Sequence, residues 1–281
     1  TQPIYGGTGS GSVSEDTAVS LIQGIENAGF KTNKKLTKFY TDYRSDRPEV
    51  GMGGVDWTCV QPTIEDYNEA GIFEQAKEYS DTAVVVLTRS GGEGPDLPEK
   101  MSTDNTYNKT QQGDDVVYTT QKEDGGSDVS YLELTSRERD MLDEVNKDFS
   151  NVIVVVNSAN AMELGFLNEY ENVHAALWVA GAGETGFNAL GSILSGDVNP
   201  SGKLVDTYVY DLTETPTYNN FGNFQYTNSS DVTGSDESTA AFVNYVEGIY
   251  VGYKFYETAA EEGLINYDTT VQYPFGYGLS Y

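Results

Sequence analysis

The chain has 281 residues and sets 44 Asp and Glu against 16 Lys and Arg, a net charge of −28. A chain so acidic repels phosphate backbones and anionic membrane surfaces, which argues against a nucleic-acid or membrane-surface partner. No apolar run approaches the roughly 20 residues that cross a bilayer, the single Cys59 permits neither an internal disulfide nor a cysteine metal cluster, and the single His174 leaves too few ligands for a histidine metal site.

The length suits one α/β domain with insertions. The acidity reads as a surface kept solvated by self-repulsion, with salt adaptation as the alternative. Thr1 in place of Met, without a signal-peptide pattern, leaves two expectations open: a removed leader or a fragment.

In chain order, "GGTGSG" (6–11) opens the pattern and leads to an amphipathic helix over 15–29. Such a loop can cradle phosphate. Here Ser12-Val13 stands where a Walker loop needs Lys and Ser or Thr, and Glu15 and Asp16 at the predicted helix start repel phosphate. A turn is the expected role. "VDW" (55–57) lies in a Gly-rich loop, where Trp57 reads as a packing or sugar-stacking aromatic and Asp56 as a loop residue.

A helical pattern over 63–80 precedes "AVVVLT" (83–88), which is apolar throughout and β-branched, as a strand buried on both faces reads. "RSGGEGPD" (89–96) follows it directly. Residues 94–130 are polar and without period. A helix over 134–149 starts with a capping box, Thr135 and Glu138. "NVIVVVN" (151–157) and "HAALWVA" (174–180) are two more buried strands, with His174 at the entrance of the second; Cys59 and His174 do not read as a catalytic pair. "GAGETG" (181–186) leads to a helix over 184–196. Residues 213–240 form a second polar stretch. The segments 242–257 and 273–281 are aromatic and Gly-rich and read as packed irregular structure with a helical turn or two. Helix–strand alternation predicts an α/β fold with a mainly parallel sheet and helices on both faces.

Two motifs carry chemistry. "GAGETG" fits a dinucleotide fingerprint, and Asp206 lies twenty residues beyond its last Gly. Glu184 occupies the helix start that should face a pyrophosphate, and Asp206 follows a Pro- and Gly-containing turn rather than a strand. No cofactor is therefore expected. In "RSGGEGPD" the carboxylate of Glu93 sits between glycines just beyond a buried strand, where ligand sites of parallel sheets gather. It suits proton transfer to a leaving oxygen. As one of 44 acidic residues it equally reads as a solvated loop carboxylate.

The segments "GGTGSG", "VVVLTRSGGEGPD", "LTSRERDMLDEV", "VIVVVNSANAMELGFL", "ALWVAGAGETGFNALGSILSGDVNPSGKLVDTY", "NYVEGIYVGYKFYE" and "YPFGYGLSY" run in order over nearly the whole chain. Together they resemble glycoside hydrolase family 3. The resemblance implies that family's three-layer α/β/α sandwich, with a mainly parallel sheet of about six strands. One domain over 1–281 is expected, with insertions at about 94–130 and 213–240. It implies a retaining β-glycosidase in which a separate (β/α)8 barrel supplies a nucleophilic Asp and the sandwich supplies Glu93 as acid/base. Gly92, Asp96 and Trp57 are then the candidate substrate contacts, and no metal is called for. The partners implied are the barrel, after Tyr281 or as a separate chain, and a β-linked oligosaccharide or glycoside. One departure stands out: Asp96 is followed by Leu97, where the family often has Arg. That departure supports the alternative of a non-catalytic carbohydrate-binding or self-assembling module.

Overall fold

In the computed structural model the described residues are 3–7, 9–45, 61–93, 97, 107–109, 115–117, 130–220, 224–234 and 242–280. They fall into two compact units. The first comprises 1–162 and 166–200, the second 163–165 and 201–281.

The first unit is built on three parallel strands. β1 (Thr82–Arg89) pairs in register with β4 (Asn151–Ser158), and β4 pairs with β5 (Val173–Trp178), giving the order β1-β4-β5. The runs read as buried strands are these three. The central one explains why: Val152, Val154, Val155 and Val156 of β4 are all buried, so both faces of the strand are covered. β5 differs. As the edge strand among the described residues it leaves His174, Ala175 and Ala176 exposed, and its apolar run is half-buried only toward its end. A short antiparallel ladder joins β2 (Tyr107–Lys109) to β3 (Asp115–Val117). The sheet of about six strands is thus corrected to three among the described residues.

Helices cover both faces. On one, α1 (Leu21–Asn27) and α6 (Gly186–Leu194) pack against Val86, Val155 and Leu177. The alternate residues Val85, Leu87, Val154 and Val156 point the other way and are buried too. There α5 (Ser136–Asp148) runs against β1 and against α3 (Ile64–Glu69) and α4 (Ile72–Tyr79). The capping box of α5 forms as predicted: the Thr135 hydroxyl accepts from the Glu138 amide and the Glu138 carboxylate accepts from the Thr135 amide.

Two helical predictions shift, and one helix is new. The helix expected from Glu15 starts at Leu21, because the Ser20 hydroxyl caps it by accepting from the Gln23 amide at 3.1 Å. Glu15 and Asp16 lie in the turn before it. The pattern over 63–80 divides into α3 and α4 because Gly71 takes a left-handed φ of 59° between them. α2 (Lys34–Arg44) is additional. Its Phe39 and Tyr40 rings pack on Tyr67 of α3, and the Tyr40 and Tyr67 hydroxyls lie 2.6 Å apart.

α1 and α6 cross through glycines. A Cβ on Gly24 would collide with the Phe187 carbonyl, and one on Gly191 with the Gly24 carbonyl. Helix backbones come this close only where no side chain intervenes.

The second unit has little regular structure. It holds β6 (Tyr208–Val209) paired with β7 (Val271–Tyr273), the short helix α7 (Ser229–Thr233), α8 (Tyr253–Glu261) and α9 (Tyr267–Thr270). Val209, Tyr256 and Val271 form its core. The segment expected to be packed irregular structure is irregular up to Gly252 and a full helix beyond it. The irregular part is also exposed rather than packed, with Tyr245, Val246 and Ile249 keeping 77%, 73% and 69% of their surface, whereas Tyr256 of the helix is buried. Among the described residues no helix is long and apolar enough to cross a membrane.

Candidate functional site

The carboxyl ends of β1 and β4 are anchored by two buried polar side chains. Arg89, the last residue of β1, has no exposed surface. Its guanidinium grips the Glu138 carboxylate with two parallel bonds of 2.8 and 2.6 Å and donates to the carbonyls of Thr88, Tyr131 and Glu133. Bidentate Arg–carboxylate pairs are strong, charge-assisted hydrogen bonds, and a buried one needs such complete bonding to offset its desolvation. The Tyr131 ring lies 5.7 Å from the guanidinium, and its hydroxyl accepts from the Ser90 amide at 2.8 Å. The base of the loop carrying Glu93 is thereby tied to the strap around residues 130–133.

Asn157 does the same at the end of β4. Its Oδ1 accepts from the Ile4 amide at 2.6 Å, and its Nδ2 lies within donating distance of the carbonyls of Ile4, Val179 and Ala180. The first segment of the chain is thus held against the exit of β5. That contact is what the "GAGETG" glycines accommodate. A Cβ on Gly181 would lie 2.9 Å from the Tyr5 carbonyl oxygen, and the Gly183 amide donates to the same oxygen at 2.6 Å. Asp206 belongs to the second unit.

From this anchorage the Gly-rich segment 6–11 reaches the loop after β1. Gly7 faces the backbone of Gly91 and Gly92, and Gly9 to Gly11 form a 3-10 turn. Gly9 has a left-handed φ of 82°, and a Cβ there would lie 2.9 Å from both Cβ and Oε2 of Glu93. The Ser10 amide donates to Glu93 Oε2 at 3.1 Å. That bond, with a further one from the Ser10 side chain, holds the Glu93 carboxyl below the usual glutamate range, and partial desolvation opposes it more weakly. Glu93 itself remains exposed.

Of the residues singled out from the sequence, Gly92 and Glu93 lie together at this strand end. Asp96 and Trp57, with Asp56 and Cys59, fall outside the described residues. Sequence reasoning passed over Arg89, Asn157, Gly9 and Ser10. The signal for Arg89 was a charged residue closing an apolar strand, and for Asn157 an amide one residue before the end of the neighbouring strand, level with Thr88. Among the described residues no group of His, Cys, Asp or Glu could hold a metal ion. A shallow cleft of about 660 Å³ lies where α1, α2 and α4 meet. Its polar groups are taken up by one another: Lys34 by Glu26, Lys35 by the Gly71 carbonyl, and Asn33 by Gln75.

Comparison with known proteins accords with this architecture. Residues 1–253 match the glycosyl hydrolase family 3 C-terminal domain. Over 279 residues the chain is 31% identical to a β-glucosidase of Ruminococcus albus, covering 98% of this chain and 24% of that protein. It is 30% identical to β-glucosidase A of Butyrivibrio fibrisolvens, covering 99% and 30%. The solved β-glucosidase of Paenibacillus barengoltzii superposes with a TM-score of 0.68 at 27% identity, over 99% of this chain and 25% of that one. β-glucosidase 3B of Thermotoga neapolitana, solved with glucose, gives 0.66 at 25% identity, over 99% and 33%. The chain spans about a quarter to a third of the length of these relatives. It belongs to glycoside hydrolase family 3, as that family's C-terminal α/β domain.

Proposed function

We propose that this domain supplies the general acid/base, Glu93, of a retaining β-glucosidase-like enzyme whose nucleophilic Asp stands on a (β/α)8 barrel. The observation that carries the reading is the placement of Glu93. It is an exposed carboxylate on a glycine loop at the carboxyl end of a parallel strand, held by a second glycine loop, in a chain whose relatives are β-glucosidases three to four times as long.

The chemistry follows from two carboxyl groups about 5–5.5 Å apart. Glu93 in its acid form protonates the departing glycosidic oxygen while the barrel Asp bonds to the anomeric carbon. Glu93, now a carboxylate, takes a proton from the water that cleaves the glycosyl–enzyme ester, and so returns to the acid. Neither step requires a cofactor or metal. Gly92 lets the loop approach the sugar, and Asp96 and Trp57 are proposed as further substrate contacts.

Glu93 alone is biased toward the carboxylate, which suits the second step and opposes the first. A barrel Asp some 5 Å away supplies the opposite bias, since two like charges at that distance disfavour ionising both. On this reading the chain by itself does not hydrolyse nitrophenyl β-glucosides, and joining it to the barrel restores turnover. Glu93→Gln in the assembled enzyme lowers kcat by about 10²–10⁴-fold, the usual worth of a positioned acid/base. Retention of full turnover in Glu93→Gln would overturn the assignment.

A second reading, a self-assembling or carbohydrate-binding module without catalysis, draws support from the second unit. There Val205, Tyr245, Val246, Ile249, Leu264 and Leu279 are all more than two-thirds exposed, and exposed apolar side chains are what a partner surface would cover. Sedimentation of the chain separates the two: a concentration-dependent oligomer favours self-assembly, whereas a monomer that associates only with the barrel favours the enzyme.

A further inference from the structure

The glycine-rich segment 6–11 has no role in the chemistry just described, although it touches the residue that does. A loop that merely closed the fold would not need to meet the Glu93 side chain. This one is shaped around it. Gly9 leaves the space that Glu93 Cβ and Oε2 fill, and its φ of 82° is a conformation that side-chain-bearing residues rarely adopt. The next residue turns its amide toward Oε2 at 3.1 Å. The turn is braced from within, because the Ser12 amide donates to the Gly9 carbonyl at 3.0 Å and a Cβ on Gly6 would collide with the Gly11 carbonyl. It is braced from below by the Asn157 clamp on Ile4 and by the bond from the Gly183 amide to the Tyr5 carbonyl.

We propose that Gly9 and Ser10 are positioning residues for Glu93: a preformed seat that receives its carboxylate between the two proton transfers and returns it, correctly aimed, for the second. The proposal rests on the acid/base reading of Glu93. It gives that site a reset position. After Glu93 gives its proton to the leaving oxygen, the carboxylate it has become is the form to which an N–H and an O–H donate most strongly. Once the carboxylate takes a proton from water, the seat loses its preference and the acid is free to meet the next substrate. Gly7, Gly9, Ser10, Gly91 and Gly92 carry no ionisable side chain, and the nearest acidic residues along the two segments are Asp96 and Glu15. The hydrogen bonds from Ser10 are the largest causes that lower the Glu93 carboxyl. A carboxylate held by fixed donors at a rigid turn loses little to reorganisation during the reaction.

The test uses the chain as it is. With glutamate labelled at the side-chain carboxyl carbon, the Glu93 resonance is identified by its loss in Glu93→Gln and followed through an acid titration by NMR. In the unsubstituted chain its midpoint lies below the ordinary glutamate value of about 4.3. Gly9→Ala, which forces the carboxylate off the seat, returns the midpoint to that value. Ser10→Ala, which keeps the amide but removes the hydroxyl, moves it part of the way. An unchanged midpoint in Gly9→Ala overturns the proposal. If Gly9→Ala does not fold, Ser10→Ala decides: a partial rise of the midpoint supports the seat, and an unchanged midpoint overturns it.

In the barrel-joined enzyme, a positioning role further requires that Gly9→Ala lower kcat more than it raises KM and shift the acid limb of the kcat–pH profile. A purely structural role moves neither selectively. The two proposals fail separately. Loss of turnover in Glu93→Gln with an unmoved midpoint in Gly9→Ala removes the seat and keeps the acid/base. A moved midpoint with full turnover in Glu93→Gln does the reverse.

Discussion

Arg89→Met isolates the buried ion pair on which the site stands. Methionine keeps most of the apolar stem and removes the guanidinium. What is lost is two bonds to Glu138 and three to backbone carbonyls, all inside the fold, with side-chain exposures of 0% and 1% for the pair. Removing one partner of such a pair strands the other as an uncompensated buried charge, which costs about 3–5 kcal/mol. Domains of this kind have about 5–15 kcal/mol of stability to lose, so the single substitution consumes about a fifth of it or more. Glu138→Gln strands the cation instead and has a comparable cost, although its amide oxygen still caps the Thr135 amide. The double substitution removes both charges together and leaves only neutral groups to satisfy. It therefore costs clearly less than the sum, with a coupling of about 2 kcal/mol or more. Equilibrium urea unfolding of the four proteins, with the slope unchanged across the set, measures this. A loss within about 1 kcal/mol for Arg89→Met, or strict additivity in the double, would refute the argument.

Two further outcomes follow from packing and burial. In an exposed helix Gly→Ala stabilises by up to about 1 kcal/mol, but at Gly191 the new methyl collides with the Gly24 carbonyl. Overpacking wins, and Gly191→Ala should destabilise by about 1–3 kcal/mol in thermal or urea unfolding, whereas a gain would show that α1 and α6 do not meet at this crossing. Burial raises the hydroxyls of Tyr40, Tyr67, Tyr170 and Tyr208, and that of Tyr256 to about 12. The folded state then holds protons that the unfolded state releases near 10. Stability is full below that value and declines as pH rises from it through the folded values, from about 10 to 12 for Tyr256. Absorbance at 295 nm should show a tyrosine class that ionises only above about pH 12 or on unfolding, and a single transition near 10 for all tyrosines would contradict it.

The three main strands were legible because burial erases alternation: the run Val152 to Val156 is apolar at every position, and only a strand covered on both faces tolerates that. The start of α5 was legible for a different reason, since Thr135 and Glu138 satisfy one another within four residues. The spacing of Leu36, Phe39, Tyr40 and Tyr43 announces α2 equally well, and it is obscured by the charged residues among them. Edges were not legible. Whether "HAALWVA" ends a sheet or lies inside it depends on what pairs beyond it, which its own composition does not encode. The site divides in the same way. Glu93 could be picked out locally, by its glycines and by the strand before it. Ser10 lies 83 positions from Glu93, and Ile4 lies 153 from Asn157, so neither contact leaves a local pattern.

That division bears on how the half-site works. The local features put a carboxylate at a strand end, and there it is ordinary. The distant ones make it specific, through Arg89 beneath the loop, Asn157 beneath the first segment and Ser10 against the acid itself. All three act to fix position, and the last also fixes charge in the direction of the base. A general acid needs the opposite, a proton held at working pH. The Ser10 donors that the structure places against the Glu93 carboxyl stabilise the deprotonated form instead. Under the acid/base role proposed above, a nucleophilic carboxylate at about 5 Å supplies the opposite bias and the bond-forming partner together. On this argument the barrel completes the acid as well as the nucleophile. Docking to a barrel whose nucleophile is replaced by Asn should then leave Glu93 titrating low, while docking to the unaltered barrel raises it.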